Sequence, residues 1–423
     1  MKKNGFIMST YVYILLVFFL LLLGTMLVVL NNTRLLANKI KENTDGNIDF
    51  NLILKGDKEI ILKKDSEYIE PGYIATTFDG KKLDVNVMGE VNVNKLGEYD
   101  IIYIAEYKGV EKKIRRKVIV AENLVTYITN LYKTNNILNN LKKDNTPDQN
   151  IRYYGSDPNN YVKFNNELWR IIGVFGNNVK LIRNEKLGNL SWDSSEESIN
   201  EGWGVNEWST SALKNYLNTM YYGGESVTCY NGQNKQTTTC PKDSKSNFLI
   251  MDETSKTLID NHTWKIGAIE WEKRTSTLAF YKAERGNVTG KKCNGGSACN
   301  DTVERTTEWP GYIGLPYITD YAYASSESVC ETNMMKQDSS DAYICKNNNW
   351  MFKPNTWYWT LSPRANSGNS CSVWCVYSGG YVGYNGATMY GGAVYPAIYL
   401  KTDILIKSGT GRSSDPYILK VGS

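Results

Sequence analysis

The cysteines are the residues in this 423-residue chain whose spacing most limits its chemistry. All eight lie beyond residue 150 and fall as neighbours: Cys229 with Cys240, Cys293 with Cys299, Cys330 with Cys345, and Cys371 with Cys375. No spacing is C-x-x-C, and the one histidine, His262, cannot complete a cysteine–histidine metal set. Disulfides between neighbours are therefore expected, and no metal or cofactor. A Ser-His-Asp or Cys-His catalytic set would have to use His262, which reads as a surface-loop residue in Asp-Asn-His-Thr-Trp. Paired carboxylates can hydrolyse glycosidic bonds. The candidate pairs, Glu270 with Glu272 and Asp252 with Glu253, sit in unremarkable polar settings, and no enzyme is expected.

A second set of residues suits recognition. Between Arg364 and Tyr395, Gly, Tyr, Asn and Ser supply 19 of 32 positions. Tyrosine gives a large rigid contact surface with few rotors, while Gly, Ser and Asn adapt their hydrogen bonding, the composition of antibody loops. The expected contacts are Trp374, Tyr377, Tyr381, Tyr384, Asn385 and Tyr390, with Arg364, Asn366 and Asn369 from the same stretch. The competing reading is a glycine-rich β-meander with an aromatic core face, because Val373, Cys375 and Tyr377 alternate with Trp374, Val376 and Ser378.

These residues need elements to hold them. Residues 11–30 are twenty apolar residues, long enough at 1.5 Å per residue to cross a hydrocarbon core of about 30 Å. Basic residues flank both ends (Lys2 and Lys3 before, Arg34, Lys39 and Lys41 after), so charge leaves the direction open. Disulfides need an oxidising compartment, which puts the cysteine-bearing part outside and the N-terminus in the cytoplasm. Residues 1–42 are thus expected to form a cytoplasmic tip, a single-pass membrane anchor and a stalk. Residues 49–121 alternate with period two between the turn signals Lys55-Gly56-Asp57, Pro71-Gly72, Asp79-Gly80 and Lys108-Gly109, which predicts a β-sandwich. Residues 122–423 carry all eleven tryptophans and mix strands with two helical stretches, from Asn123 and over Asn206–Asn218. That pattern predicts an α+β domain. With 41% hydrophobic and 22% charged residues the chain is globular, and a net charge of +4 with both signs interspersed predicts no nucleic-acid partner.

Three stretches resemble known families. Tyr-Ile-Glu-Pro-Gly-Tyr-Ile-Ala (68–75), the Gly97–Tyr103 strand and the terminal Arg116–Val120 strand closely resemble bacterial immunoglobulin-like surface repeats, which usually act as spacers. Residues 122–423 resemble a family of uncharacterised Firmicutes-type surface proteins through "NIRYYGSDPNNYVKFNNELWRIIGVF", "WDSSEESINEGWGVNEWS", "YWTLSPRA" and "VYPAIYLKTDILIKSGTGRSSDPYIL". The C-terminal half of that family is similar to the C-type-lectin-like fold of formylglycine-generating enzymes and of variable proteins diversified by retroelements. Members usually have Gly-Val-Arg-Pro where this chain has Ala393-Val394-Tyr395-Pro396. The resemblance implies a lectin-like head with Trp359, Pro396, Ile398 and Leu400 in its core and a binding region, 364–395, open to adenine-directed diversification. A calcium-dependent sugar site is not implied, since no Glu-Pro-Asn or Gln-Pro-Asp triplet occurs. The leader "KKNGF" before a long apolar helix is similar to a type IV prepilin leader cleaved after Gly5, with Thr10 where pilins usually carry Glu.

The combined expectation is a membrane-anchored multidomain chain: one transmembrane helix, an Ig-like β-sandwich spacer and an α+β C-type-lectin-like head. Its expected role is surface binding or adhesion toward an extracellular protein or glycan. The alternatives are a pilin-like fibre subunit and a surface carbohydrate-active enzyme.

Overall fold

The structure is a computed structural model. It describes Leu23, Thr25, Met26 and residues 48–194, 203–270, 276–286, 305–332, 344–365 and 371–422. The three isolated residues are helical, and the rest of the expected anchor lies outside the described residues. Among the described residues no helix is long and apolar enough to cross a membrane. The chain divides into two compact units, the first ending at Ile119 and the second running from Val120 to the C-terminus with two short earlier segments, Lys63–Ser66 and Asn94–Glu98.

The first unit is built on six strands: β1 (Asn51–Leu54), β2 (Glu59–Lys63), β3 (Tyr73–Thr76), β4 (Val85–Met88), β5 (Gly97–Tyr107) and β6 (Val110–Asn123), the last four residues of β6 belonging to the second unit. β1 pairs antiparallel with β3, and a second sheet runs β4–β5–β6 with β2 on β6. Alternation drives the packing. In β5 Ile101, Tyr103 and Ala105 point inward and are at most 6% exposed, Ala105 clustering with Phe50, Leu52 and Ala75, and Ile101 and Tyr103 with Val118. The buried cation Arg116 has its guanidinium on backbone carbonyls of Lys55 (2.7 Å), Gly72 (3.0 Å) and Asp57, and pairs with Glu70 at 3.0 Å. It therefore serves the Lys55 and Asp57 carbonyls of the turn and adds a second donor to Gly72 O, which also accepts from Lys55 N at 2.9 Å.

In the second unit, α1 (Leu124–Asn135) starts where Asn123 caps it, its side chain accepting from Thr126 N at 3.1 Å. The first sheet holds β7 (Leu141–Lys143), β8 (Ile151–Tyr153), β9 (Tyr161–Phe164), β10 (Glu167–Phe175) and β11 (Asn178–Arg183). Short pieces follow: β12 (Gly188–Asn189), the helical turns α2 (Ala212–Asn215) and Tyr216–Tyr222, the hairpin β13 (Cys229–Tyr230) with β14 (Thr237–Thr238), and α3 (Glu253–Leu258). Next come β15 (His262–Lys265), β16 (Ile269–Glu270), α4 (Thr277–Glu284), β17 (Glu308–Gly311), β18 (Ile313–Gly314), α5 (Ile318–Tyr323) and α6 (Val329–Thr332). The chain ends in β19 (Tyr358–Ala365), β20 (Ser372–Val376), β21 (Val382–Gly386), β22 (Ala393–Val394), β23 (Ala397–Tyr399), β24 (Ile404–Ser408) and β25 (Tyr417–Val421).

Two sheets organise these strands. One runs β18–β23–β11–β10–β9–β25–β24, with β8 also on β10, and the other runs β12–β22–β19–β20–β21 with β16 on β19. Two cores fill the unit. The larger gathers Trp169, Trp192, Trp208, Trp264 and Trp359 with the apolar residues of β10, β11 and β23. The smaller packs Phe280, Tyr321, Tyr358, Trp374 and Val376. Trp359, Ile398 and Leu400 are fully buried, and Pro396 is buried beside them, as expected of core.

The cysteines follow the neighbour rule only in part. Cys229–Cys240 and Cys330–Cys345 are disulfides, whereas Cys371 and Cys375 are free buried thiols. The expected Cys371–Cys375 bridge fails for a geometric reason. Cys375 lies in extended β20 and Cys371 immediately before it, so at about 3.3 Å per residue their Cα atoms stand roughly 13 Å apart, beyond the ~7 Å limit for a bridge. The expected Cys293–Cys299 pair lies outside the described residues.

Candidate binding face

The expected site is a sheet corner. β20 pairs antiparallel with β19 and β21, setting Trp374 opposite Tyr384, Cys375 opposite Gly383 and Val373 opposite Asn385. β21 is the last strand of its sheet. Alternation sends Trp374 and Val376 into the smaller core and Val373 and Cys375 into the larger one, so β20 is covered on both faces. Trp374 is consequently a core residue, not a contact. It is 1% exposed, meets Phe280 edge-on at 5.1 Å and donates its indole N–H to Ile269 O at 3.3 Å.

Much of the Tyr/Gly composition is explained by packing. A Cβ on Gly383 would stand 2.6 Å from a Tyr377 ring carbon, and one on Gly392 would stand 2.0 Å from the Trp359 indole nitrogen. These two glycines are floors on which aromatic rings lie. Tyr377 is fixed further by donating to Asn385 Oδ1 (2.8 Å) and Tyr384 O (3.1 Å), and burial pushes its phenol pKa up. The meander reading of this segment therefore accounts for Trp374, Val373, Cys375 and the glycines.

What remains at the surface is a rim around β21. Tyr377 and Tyr381 stack at 4.7 Å and 16°, and Trp357 continues the column at 6.4 Å from Tyr377, all three half-buried. The guanidinium of half-buried Arg364 lies 3.9 Å from the Tyr384 ring centroid. Tyr390 is 53% exposed beside Met389 at 38%, its ring against Gly232 of the loop closed by Cys229–Cys240. Asn366 and Asn369 lie outside the described residues. Trp357 was missed by sequence reasoning, since it precedes the Tyr/Gly stretch; its neighbour Trp359 is core.

The free thiols do not make a reactive centre. Burial raises the pKa of both Cys371 and Cys375, which keeps them protonated, and thiolates are the nucleophilic form. The conscripted carboxylates have structural work: Asp252 caps α3 by accepting from Ser255 N at 2.7 Å, and Glu253 pairs with Lys256 at 2.7 Å. Glu270 is half-buried in β16, and Glu272 lies outside the described residues. His262 corrects its expected place, since it begins strand β15 and stacks on Tyr399 at 3.7 Å and 21°. Among the described residues no group of three or more His, Cys, Asp or Glu side chains could hold a metal.

A feature with no sequence signal lies deep in the same unit. Lys180 of β11, Asp320 of α5, Arg152 of β8 and Asp144 form a chain of ion pairs: Lys180–Asp320 at 2.5 Å, Arg152–Asp320 at 2.8 Å and Arg152–Asp144 at 2.8 Å. All four side chains are at most 1% exposed. Desolvation pulls Lys180 down to about 8, while Lys180 and Arg152 together hold the Asp320 carboxyl below its usual range despite its burial. Glu284 of α4 is buried beside them, accepting from Thr319 (2.8 Å) and Ser362 (3.2 Å), and burial raises its pKa. These residues come from elements far apart in sequence, which is why no spacing announced them.

Comparison with known proteins fits this architecture over one region. Residues 52–120 match the family model described as bacterial surface protein, Ig-like domain. The first unit is thus an Ig-like domain of the kind bacterial surface proteins carry, which supports a cell-surface location. A matching solved structure is the lipoprotein BT2262 from Bacteroides thetaiotaomicron, 36% identical over 18% of this chain and 39% of that chain, with a TM-score of 0.17. No curated protein matches.

Proposed function

We propose that this chain is a cell-surface ligand-binding or adhesion protein. In this reading residues 11–30 anchor it in the membrane, the Ig-like domain is a spacer, and residues 122–423 are a C-type-lectin-like head that meets an extracellular protein or glycan. The observation that carries it is the rim around β21, where Trp357, Tyr377, Tyr381, Tyr384 and Tyr390 keep part of their rings at the surface beside Arg364. Tyr and Trp pair apolar area with a polar handle, and with Arg they dominate the energetics of recognition surfaces. If 364–395 is diversified, the variation belongs at exposed positions such as Ser378, Met389 and Tyr390, because Gly383 and Gly392 have no room for a side chain.

Glycan and protein arrays probed with the ectodomain test the reading. Any ligand found should be lost on Tyr381→Ala or Tyr384→Ala with folding intact. Binding that survives both changes sinks the proposed face. A reverse-transcriptase gene with an imperfect repeat of the 364–395 coding segment nearby is the expected genomic companion of diversification, and its absence removes that part of the proposal.

A further inference from the structure

The buried ion-pair chain holds one contact that ion pairing alone does not exhaust. Lys180 Nζ lies 2.5 Å from Asp320 Oδ2, with both side chains at 0% exposure. Four rings wall the amine: Tyr317 at 4.0 Å, Trp264 at 5.3 Å, Tyr399 at 5.4 Å and Phe175 at 5.7 Å from centroid to Nζ. Taking two charges out of water is costly, and a lysine can lose its proton and become a nucleophile where an arginine cannot.

We propose that Lys180 and Asp320 condense into an intramolecular isopeptide cross-link that ties β11 to α5. The step is redox-neutral. The Lys180 Nζ–Asp320 Cγ bond forms, the Cγ–Oδ2 bond breaks, and Oδ2 leaves as water with two of the three ammonium protons. The third proton stays on the amide nitrogen. Proton transfer across the 2.5 Å contact gives the neutral amine and the neutral acid as the reacting minority form, since Lys180 and Arg152 hold the carboxyl ionised otherwise.

The surrounding groups fit the two oxygens differently. Arg152 Nη1 donates to Oδ1 at 2.8 Å, so it holds the oxygen that stays and that carries negative charge as Nζ adds to Cγ. Oδ2, the departing oxygen, accepts from Lys180 and from Tyr317 N at 2.9 Å. Burial lowers the Lys180 pKa to about 8, which eases formation of the free amine. Glu284 is buried on the neighbouring α4, accepts from Thr319 next to Asp320 at 2.8 Å and pairs with Arg285 at 3.3 Å, and burial raises its pKa. Once formed, the amide removes two desolvated charges, while Arg152 keeps Asp144 at 2.8 Å as its counter-charge. The aromatic wall keeps out the water that would reverse the step.

Peptide mapping of the full-length protein, reduced and denatured before digestion, decides the matter. The expected result is a branched peptide joining the segments around Lys180 and Asp320, lighter than their sum by one water and uncleaved by trypsin at Lys180. A Lys180→Met variant, which keeps an unbranched side chain in the aromatic wall, should yield the Asp320 peptide alone and unmodified. Recovery of the two wild-type segments as separate, unmodified peptides overturns the proposal, and so does a water loss that maps to any other pair.

Discussion

His262 is the one histidine of the chain, so its titration can be followed without assignment. Its Nδ1 lies 3.1 Å from Asp260 Oδ2 and its ring stacks on Tyr399. Burial lowers its pKa and outweighs the opposing pull of Asp260. A histidine depressed in the folded state contributes stability that is present above its unfolded pKa, about 6.5, and lost as pH falls through the folded value. The single imidazole resonance should therefore titrate below about 6.5, and stability should decline as pH drops through that range. A midpoint above the ordinary value would contradict the burial argument.

The glycine floors give a second residue-scale expectation. Gly383→Ala drives a methyl into the Tyr377 ring and Gly392→Ala drives one into the Trp359 indole. Each should cost about 1–3 kcal/mol of stability by overpacking, read as a lowered denaturant midpoint. Gly176→Ala, with nothing within 4 Å of the added Cβ, tests the left-handed backbone alone (φ +59°) and should cost less.

At the scale of elements, the cysteines divide into staples and core. Cys330–Cys345 closes a loop with a sequence separation of 15 and joins the start of α6 to the turn at 345–348. Removing it as a Cys330→Ala, Cys345→Ala pair should lower stability by roughly 3 kcal/mol, measured by denaturant unfolding. Cys371 and Cys375 should behave in the opposite way. Both are shielded thiols, so alkylating reagents should label them only after unfolding, without prior reduction. Labelling of neither in the unfolded, unreduced protein would mean that they are oxidised after all.

At the scale of the molecule, the two units have separate cores. Among the described residues, Phe50, Leu52, Ile101, Tyr103 and Val118 cluster with first-unit residues, and the buried tryptophans cluster with residues of the second. Units with separate cores are expected to melt separately. Arg116→Ala takes their side-chain donor from the Lys55 and Asp57 carbonyls and leaves Glu70 without that partner. It should lower the first unit's transition by about 1–3 kcal/mol, the cost of leaving buried acceptors unpaired. Tryptophan fluorescence should not move, because every tryptophan lies beyond residue 150.

Local pattern encodes the features that were legible before any fold was known. Period-two alternation placed the strands of the Ig-like domain, since each inward residue of β5 is read directly from its parity, and the family match over 52–120 agrees. The 229–240 and 330–345 pairs were legible because disulfides between near neighbours need only a turn. Long-range packing fixed the remaining features. Composition cannot say whether a tyrosine faces water or lies on a glycine of the next strand, and Trp374 and Gly383 were settled by which faces of β20 and β21 other elements cover. Cys371 and Cys375 were settled by strand extension, which separates neighbours that a turn would have joined. The Lys180–Asp320 pair spans 140 positions and exists because β11 and α5 meet in the core, a long-range contact that no local period signals.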